Sequence, residues 1–334
     1  MELRIPAADD LHIHLRNDER TLAAVKAVRE GGACRVLAMP NTSPALATGE
    51  DATKYRHYLV MQGADFDILT TIKLMPTTTP EMITEAARLG VSAGKQYPLG
   101  VTTNSEDGVS DFRAMYPVYE AMAQSDMVLS LHGEVPGAFV MDAETEFLDE
   151  LHRIHRAFPK LRIVLEHITT QAAVEAVRSL PDNVVATITD HHLDITLDDV
   201  IGSTIQPHHF CKPVAKRPSD RKALNEVVRE GHPSFFSGTD SAPHLIADKE
   251  NACGCAGIFN APYHMQFLAT HFDALEMLPR LADFTSKFGA EFYRLPPSGE
   301  EIMLIKRDVL VPNTYDGIVP FKAGQTLTYD LAWI

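Results

Sequence analysis

The sequence has little positive charge and no long apolar run. Its 334 residues include 30 Lys and Arg against 45 Asp and Glu, which gives a formal net charge of −15. A chain this acidic, without a basic cluster, argues against binding to a nucleic-acid backbone or to an anionic membrane face. No stretch approaches the ~20 apolar residues that a membrane-spanning helix needs. We therefore expect neither nucleic acid nor membrane as a partner.

Cysteine is also scarce, and its four positions are Cys34, Cys211, Cys253 and Cys255. Their spacing does not form a disulfide framework, so we expect reduced thiols. Cys253 and Cys255 lack the partner cysteines that a thiol metal site would need, and we expect them in a buried loop. Residues 1–6 contain neither an apolar signal core nor an Arg- and Ser-rich pattern, so we expect a cytoplasmic protein.

What the chain does contain is a regular alternation of short apolar runs and longer amphipathic runs. The apolar runs predict eight strands: Leu11–Leu15, Arg35–Met39, Ile68–Leu74, Val91–Tyr97, Val128–His132, Arg162–Ile168, Val184–Thr189 and Ser234–Gly238. Helical patterns lie between them, near residues 19–30, 50–62, 80–89, 112–124, 143–157, 170–179 and 220–230. Such alternation forms either a doubly wound open sheet or a closed barrel.

The positions of the polar residues favour the barrel. Side chains able to do chemistry fall at the C-terminal ends of the predicted strands: His12, His14, Lys95, His132, His167 and Asp240. In a barrel these ends meet at one mouth, where catalysis takes place, whereas an open sheet would keep several of them apart. We predict an α/β fold, a TIM (β/α)8 barrel.

The whole chain, residues 1–334, is predicted to form a single domain of this kind. Residues 280–334 are interpreted as a C-terminal extension with two short strands, Glu301–Lys306 and Thr326–Tyr329. The long loop 240–264, rich in Gly, Cys and Ala, is expected to fold over the mouth.

The first predicted strand carries His12-Ile13-His14, and alternation along a strand places both imidazoles on one face. Two imidazoles inside a barrel either ligate a metal or hydrogen-bond to the backbone, and the motif alone does not decide between the two. Asp9 and Asp10 are expected to be solvated carboxylates in a turn. Arg16 follows on the same face, as an anion receptor or as part of a surface salt bridge.

Lys95 ends the fourth predicted strand and must lose its charge or find partners in a barrel mouth. Carboxylation by CO2, a Schiff base and phosphate binding are all compatible with this position. His132 and His167 end two further strands, and Asp240 follows the eighth. Imidazole and carboxylate ligands suit a divalent ion such as Zn2+, and two metals sharing one anion would activate a water. The expected reaction is metal-assisted hydrolysis of a polarised carbonyl.

Taken together, these motifs resemble those of the amidohydrolase superfamily, and within it the dihydroorotases of the single-function bacterial and fungal type. The resemblance extends over nearly the whole chain in motif order. It is carried by segments 10–16, 39–41, 94–98 with 102–105, 131–134, 166–170, 238–244, and 253–257 with 259–262.

The resemblance implies a binuclear centre with two zinc ions per chain. His12, His14 and Asp240 would hold the first zinc and His132 and His167 the second, while Lys95, as N6-carboxylysine, would bridge them. The implied substrate contacts are the carboxylate receptors Arg16, Asn41 and His244, backbone groups of Lys212, Ala256 and Gly257, and the loop tip Thr102 and Thr103.

The family's reaction is the reversible interconversion of N-carbamoyl-L-aspartate and L-dihydroorotate, the third step of de novo pyrimidine synthesis. Asp240 would be its catalytic acid and base, and the chain would form a homodimer. Two alternatives are another cyclic amidohydrolase, such as a hydantoinase or allantoinase, and an inactive barrel that serves as a scaffold. His191-His192 and His208-His209 are expected to be structural rather than ligands.

Overall fold

A parallel barrel lies at the centre of this computed structural model, which describes residues 2–102 and 105–334. Over these residues the strands are β1 (Glu2–Pro6), β2 (Ala8–Ile13), β3 (Ala33–Ala38), β4 (Asp67–Leu74), β5 (Ala93–Gln96), β6 (Val128–His132), β7 (Ile163–Glu166), β8 (Val184–Ile188), β9 (Phe235–Ser237), β10 (Glu301–Leu310) and β11 (Thr326–Trp333). Strands β2 to β9 pair in chain order, each parallel to the next.

The barrel closes just beyond the last strand. The N–H of Asp240 donates to the carbonyl of His12 at 2.8 Å, and the N–H of His14 donates to that of Ser241 at 3.0 Å. The predicted TIM (β/α)8 barrel is therefore confirmed. Closure also brings the first and last strand ends into contact, so His14 and Asp240 become neighbours.

Helices connect the strands and cover the barrel. Over the same described ranges they are α1 (Thr21–Glu30), α2 (Gly49–Met61), α3 (Pro80–Arg88), α4 (Tyr116–Gln124), α5 (Ala143–Ala157), α6 (Gln171–Ser179), α7 (Asp190–Asp194), α8 (Asp198–Ile201), α9 (Pro218–Glu230), α10 (Ile246–Lys249), α11 (His264–Ala274) and α12 (Phe288–Tyr293). A helix occurs at each of the seven predicted places, whereas α7, α8 and α10 to α12 were not predicted. None of the described helices is both long and apolar enough to cross a bilayer.

Side chains inside the barrel form two layers of different character. The deeper layer is apolar and includes Leu11, Leu37, Ala93, Val128, Val164, Val185 and Phe236, with Phe288 and Tyr293 of α12 packed against it. Side chains two positions apart on a strand lie on the same face. The residues two positions after Ala93, Val128, Val164 and Val185 therefore also face the barrel interior, and they are polar. These are Lys95, Ser130, Glu166 and Thr187, all buried. The apolar layer thus supports a polar one at the mouth.

The start of the first barrel strand differs from the prediction. It spans Ala8–Ile13 rather than Leu11–Leu15, and both early aspartates are buried in it. The expectation of solvated carboxylates in a turn was wrong for both. Asp9 accepts a hydrogen bond from Arg35 at 3.2 Å, and Asp10 accepts from the backbone N–H of Thr239 at 2.9 Å. Polar partners on neighbouring segments, which local sequence does not show, allow these carboxylates to be buried.

The C-terminal residues form a second sheet with the start of the chain. Strands β10 and β11 occur where short strands were predicted, but both are longer, and they pair antiparallel with each other. Strand β1, which was not predicted, pairs antiparallel with β10. Loop 240–264 folds over the mouth as expected, since residues 242, 256 and 257 line the cavity there.

Candidate metal centre and substrate pocket

A small cavity lies at the C-terminal ends of the barrel strands. It is lined by His12, His14, Arg16, Asn41, Tyr97, Thr102, His132, His167, Lys212, Asp240, Ala242, Ala256 and Gly257. Eleven of these were proposed site residues, and Tyr97 and Ala242 were not. Lys95 lies beneath this lining, with its Nζ 5.3 Å from the centre of the Tyr97 ring, and His244 contacts Arg16. Thr103, the remaining predicted contact, lies outside the described residues.

Three predicted ligands of the first metal meet at the barrel closure. Nε2 of His14 lies 2.9 Å and Nε2 of His12 lies 3.4 Å from Oδ1 of Asp240. One donor atom from each of the three residues lies within 4.8 Å of the others, so the group could hold a metal ion. Burial lowers the pKa of His14 to about 4, which favours the neutral imidazole that ligates metals.

The two predicted ligands of the second metal lie beside this group. The ring centres of His132 and His167 are 4.7 Å apart, and those of His12 and His167 are 5.1 Å apart. Nε2 of His132 donates to Glu134 at 2.7 Å, which leaves Nδ1 as the possible ligand atom. Burial also lowers the pKa of His167 well below its ordinary value.

Lys95 is completely buried between these groups. Within the described residues its Nζ has no hydrogen-bond partner, and neither has Nδ1 of His167. Burial lowers the pKa of the Lys95 amine to about 8, although the carboxylates of Glu166 and Asp240 act in the opposite direction. Because an unpaired buried nitrogen is costly, two such atoms side by side with the other imidazoles fit a site that binds a metal ion. The four imidazoles and one carboxylate are a donor set that suits zinc.

A buried carboxylate that the sequence did not reveal orients His12, one of the predicted metal ligands. Glu166 Oε2 accepts from Nδ1 of His12 at 2.8 Å and from the hydroxyl of Thr187 at 2.6 Å, and Oε1 accepts from Ser130 at 2.5 Å. The first contact fixes the tautomer in which His12 presents an unprotonated Nε2 to the metal position. A signal was available, since Glu166 is two residues beyond the interior residue Val164 on the same strand.

Arg16 reaches the mouth from a turn rather than from the strand, because β2 ends at Ile13 and the Arg16 backbone is left-handed, with φ of 59°. Its guanidinium is buried, donates to the carbonyl of Pro243 at 3.3 Å and lies 3.0 Å from Nε2 of His244. Among the residues that the structure describes, no carboxylate lies within ion-pair distance of it. A buried cation without a counter-ion is suited to bind an anion, which fits the receptor role predicted for Arg16.

Backbone groups form another part of the cavity lining. In the described part of the chain, the N–H groups of Lys212 and Ala256 donate to no protein acceptor, although both residues line the cavity. The carbonyl oxygen of Ala256 lies 3.1 Å from Nε2 of His244, which connects this wall to the anion receptor. The predicted backbone contacts are thus placed where a small polar ligand could meet them.

A second group of possible ligands lies outside this cavity lining. His191, His192 and Cys211 are buried, with donor atoms within 4.8 Å of one another. Both ring nitrogens of His192 already have protein partners, the hydroxyl of Thr189 at 2.9 Å and the carbonyl of Pro213 at 3.0 Å. These contacts fit the structural role expected for His192.

All four cysteines are free thiols, as predicted. The expectation that Cys253 and Cys255 lie in a buried loop was wrong, because Cys253 is exposed and Cys255 is half-buried. The backbone around Cys253 is held by a side-chain contact instead, because Oδ1 of Asn251 accepts from the N–H groups of Cys253 and Gly254 at 2.7 and 3.1 Å.

Comparisons with known proteins identify the family. No protein-family model matches the chain. A probable dihydroorotase from Schizosaccharomyces pombe is 41% identical over 339 residues, covering 100% of both chains. A dihydroorotase from Saccharomyces cerevisiae, solved in complex with 5-fluoroorotic acid, has a TM-score of 0.95 at 35% identity and covers 99% of this chain and 98% of that chain. An L-hydantoinase from Arthrobacter aurescens, with a TM-score of 0.85, 16% identity and coverage of 98% and 83%, shares the fold. The full-length identity to dihydroorotases, together with the arrangement of the cavity, shows that the chain belongs to the dihydroorotase family of the amidohydrolase superfamily.

Proposed function

We propose that this protein is a zinc-dependent dihydroorotase that interconverts L-dihydroorotate and N-carbamoyl-L-aspartate in de novo pyrimidine synthesis. The observation that supports the proposal is one cavity whose lining includes both the predicted metal ligands and the buried guanidinium of Arg16, which has no carboxylate partner among the described residues. Both molecules carry a carboxylate that does not react, on the carbon two bonds from the carbonyl of the amide that is made or broken. The related S. cerevisiae enzyme, whose structure contains a carboxylic acid, supports this assignment.

The residues present fit two zinc ions. His12, His14 and Asp240 would hold one, His132 and His167 the other, and carboxylated Lys95 would be shared between them. The buried, unpartnered Nζ of Lys95 supports this, because its lowered pKa increases the fraction of neutral amine. That amine can attack CO2 and lose a proton to give a carbamate, which replaces a cation by an anionic ligand. When bound, zinc would polarise an amide carbonyl and acidify a water near neutral pH.

The protein's own groups would then orient the substrate and move a proton. Asp240 lies beside His12 and His14, and it would take a proton from the attacking water and deliver it to the departing ring nitrogen. Arg16, Asn41 and His244 would hold the substrate carboxylate and make no bond themselves. The backbone of Lys212 and of Ala256–Gly257 would hold the ring amide groups, and Thr102 and Thr103 would close over the substrate.

Two substitutions separate these roles. Asp240→Ala should abolish turnover while leaving measurable substrate binding, and near-normal turnover would remove Asp240 from the proton-transfer step. Arg16→Met should raise KM and lower kcat, because the substrate carboxylate loses its charged partner. Unchanged substrate affinity in that variant would refute the receptor role of Arg16.

Lys95→Ala tests the proposed bridge between the metals. It should lose bound zinc and activity, and short carboxylic acids should restore part of both by supplying the missing anion. An unmodified Lys95 amine in an experimental structure of active, metal-loaded enzyme would contradict carboxylation. The same proposal includes a cytoplasmic homodimer, for which light scattering should give twice the mass of the chain.

A further inference from the structure

Lys249, at the end of α10, is a buried lysine that hydrogen-bonds to backbone carbonyls. The residue is 3% exposed, and no carboxylate within residues 2–102 and 105–334 forms an ion pair with it. Nζ instead donates to three backbone carbonyls, those of Phe210 at 2.8 Å, Cys255 at 2.8 Å and Gly257 at 2.7 Å. An ammonium has three N–H donors, so all of them are used. Burial lowers the pKa of this amine to about 8, so the ammonium form still predominates at pH 7.

The three carbonyls belong to two segments that are distant in sequence. Phe210 lies two residues before Lys212, while Cys255 and Gly257 flank Ala256. Lys212, Ala256 and Gly257 line the cavity. The N–H of Gly257 also donates to the carbonyl of Phe210 at 2.9 Å, so this carbonyl accepts from both the second segment and Lys249. Lys249 therefore hydrogen-bonds to both segments, 210–212 and 255–257, that contribute to this part of the cavity lining.

One of these contacts acts directly on a peptide at the cavity. The carbonyl of Cys255 and the N–H of Ala256 are the two ends of one planar peptide group and point in opposite directions. An ammonium on the carbonyl draws electron density from the peptide and makes its N–H a stronger donor. In the described part of the chain this N–H has no protein acceptor, and its residue lines the cavity.

We infer that Lys249 is a positioning residue for substrate binding, which holds the 210–212 and 255–257 segments in register and polarises the Cys255–Ala256 peptide toward the substrate ring. The inference rests on the proposed dihydroorotase function and deepens it, because it assigns recognition of the ring amide groups to a side chain that does not touch the substrate. Lys249 Nζ donates to the carbonyls of Phe210, Cys255 and Gly257 and to none of the proposed zinc ligands. Zinc binding should therefore not depend on Lys249.

The test compares Lys249→Met with wild-type enzyme in steady-state turnover of L-dihydroorotate, with zinc content measured on the same samples. Methionine keeps the approximate length of the side chain but has no donor. We expect KM to rise by ~10-fold or more, because the substitution should cost substrate binding about as much as the loss of one charge-assisted hydrogen bond. The zinc content should not change. Wild-type enzyme without dihydroorotate turnover would overturn the proposed function itself. Turnover by the wild type, with KM within about twofold in Lys249→Met, would overturn only the role of Lys249.

Asn225→Leu is the matched control, because Asn225 is also buried and donates to two backbone carbonyls away from the cavity, at 2.8 and 2.9 Å. It should lower stability without raising KM, and an equal KM increase in both variants would overturn the inference. If Lys249→Met does not fold, Lys249→Arg decides, since it keeps the charge but cannot aim three donors at one point. It should also raise KM at unchanged zinc content, and a wild-type KM would contradict the positioning role.

Discussion

Replacing Glu166 by Gln tests whether the residues around the proposed metal centre control its affinity for zinc. The substitution keeps the size of the side chain and one oxygen acceptor, but it removes a fully buried negative charge. The carboxylate accepts a hydrogen bond from Nδ1 of His12 at 2.8 Å and another from the hydroxyl of Thr187 at 2.6 Å. With glutamine, His12 donates to a neutral oxygen and becomes a weaker ligand through Nε2.

The expected magnitude follows from these contacts. A hydrogen bond to a charged acceptor contributes about 1.5–3 kcal/mol and one to a neutral acceptor about 0.5–1.5 kcal/mol, so the His12 contact loses ~1–1.5 kcal/mol. Loss of the nearby negative charge adds to this when the metal is bound. We therefore expect zinc affinity to fall by about 10- to 100-fold, the range typical for removal of a partner that orients a metal-ligating histidine.

Zinc affinity would be measured by competition with a chelator of known affinity at fixed pH. Ser130→Ala is the matched control, because it removes a hydrogen bond at 2.5 Å from the other oxygen of Glu166 and leaves the charge in place. Its affinity should stay within about threefold of the wild-type value. Wild-type zinc affinity in Glu166→Gln would refute the claim that this carboxylate sets the ligand strength of His12.

Two further predictions concern stability. Glu144 accepts the backbone N–H and hydroxyl groups of Thr169–Thr170 at 2.6–3.0 Å, so Glu144→Gln should lower the free energy of unfolding by about 2–4 kcal/mol in urea titrations. A loss no larger than that of Glu146→Gln, on the exposed face of the same helix, would contradict this. Burial alone would lower the pKa of His264, but the hydrogen-bonded carboxylate of Asp190 and the nearby charge of Asp10 together outweigh burial and raise that pKa. The stabilisation of the folded state by protonated His264 is fully present below the unfolded-state pKa of about 6.5 and is lost as pH rises through the folded-state pKa. His264→Asn should therefore lower the free energy of unfolding more at pH 6 than at pH 9. An equal cost at both pH values would show that the pair does not titrate in this way.

The barrel could be predicted from the sequence because its strands and helices have distinct periods. Apolar runs of four to eight residues mark the strands, and chemically active side chains at their ends indicate a common mouth. The same argument identified His12, His14, His132, His167 and Asp240 as residues that converge there. Each lies within two residues of the end of a recognisable apolar run, so its position at the mouth could be predicted from the residues next to it in the sequence.

Residues that act through long-range partners could not be found in this way. Asp9 and Asp10 read as turn residues, because only Arg35 and Thr239, on other segments, explain their burial. Lys249 follows no strand at all, and its three carbonyl partners lie 6 to 39 positions away. Local pattern therefore predicts which side chains face the mouth, but not what holds them in place.

The proposed function is tested most directly by the rate at which the purified protein interconverts L-dihydroorotate and N-carbamoyl-L-aspartate, measured as a function of bound zinc. We predict turnover in both directions that is lost on chelation, restored by zinc, and greatest at about two zinc ions per chain. A folded, zinc-replete protein that turns over hydantoin or allantoin but neither L-dihydroorotate nor N-carbamoyl-L-aspartate would contradict the proposed function. A folded protein that turns over dihydroorotate without binding zinc would contradict the proposed metal dependence.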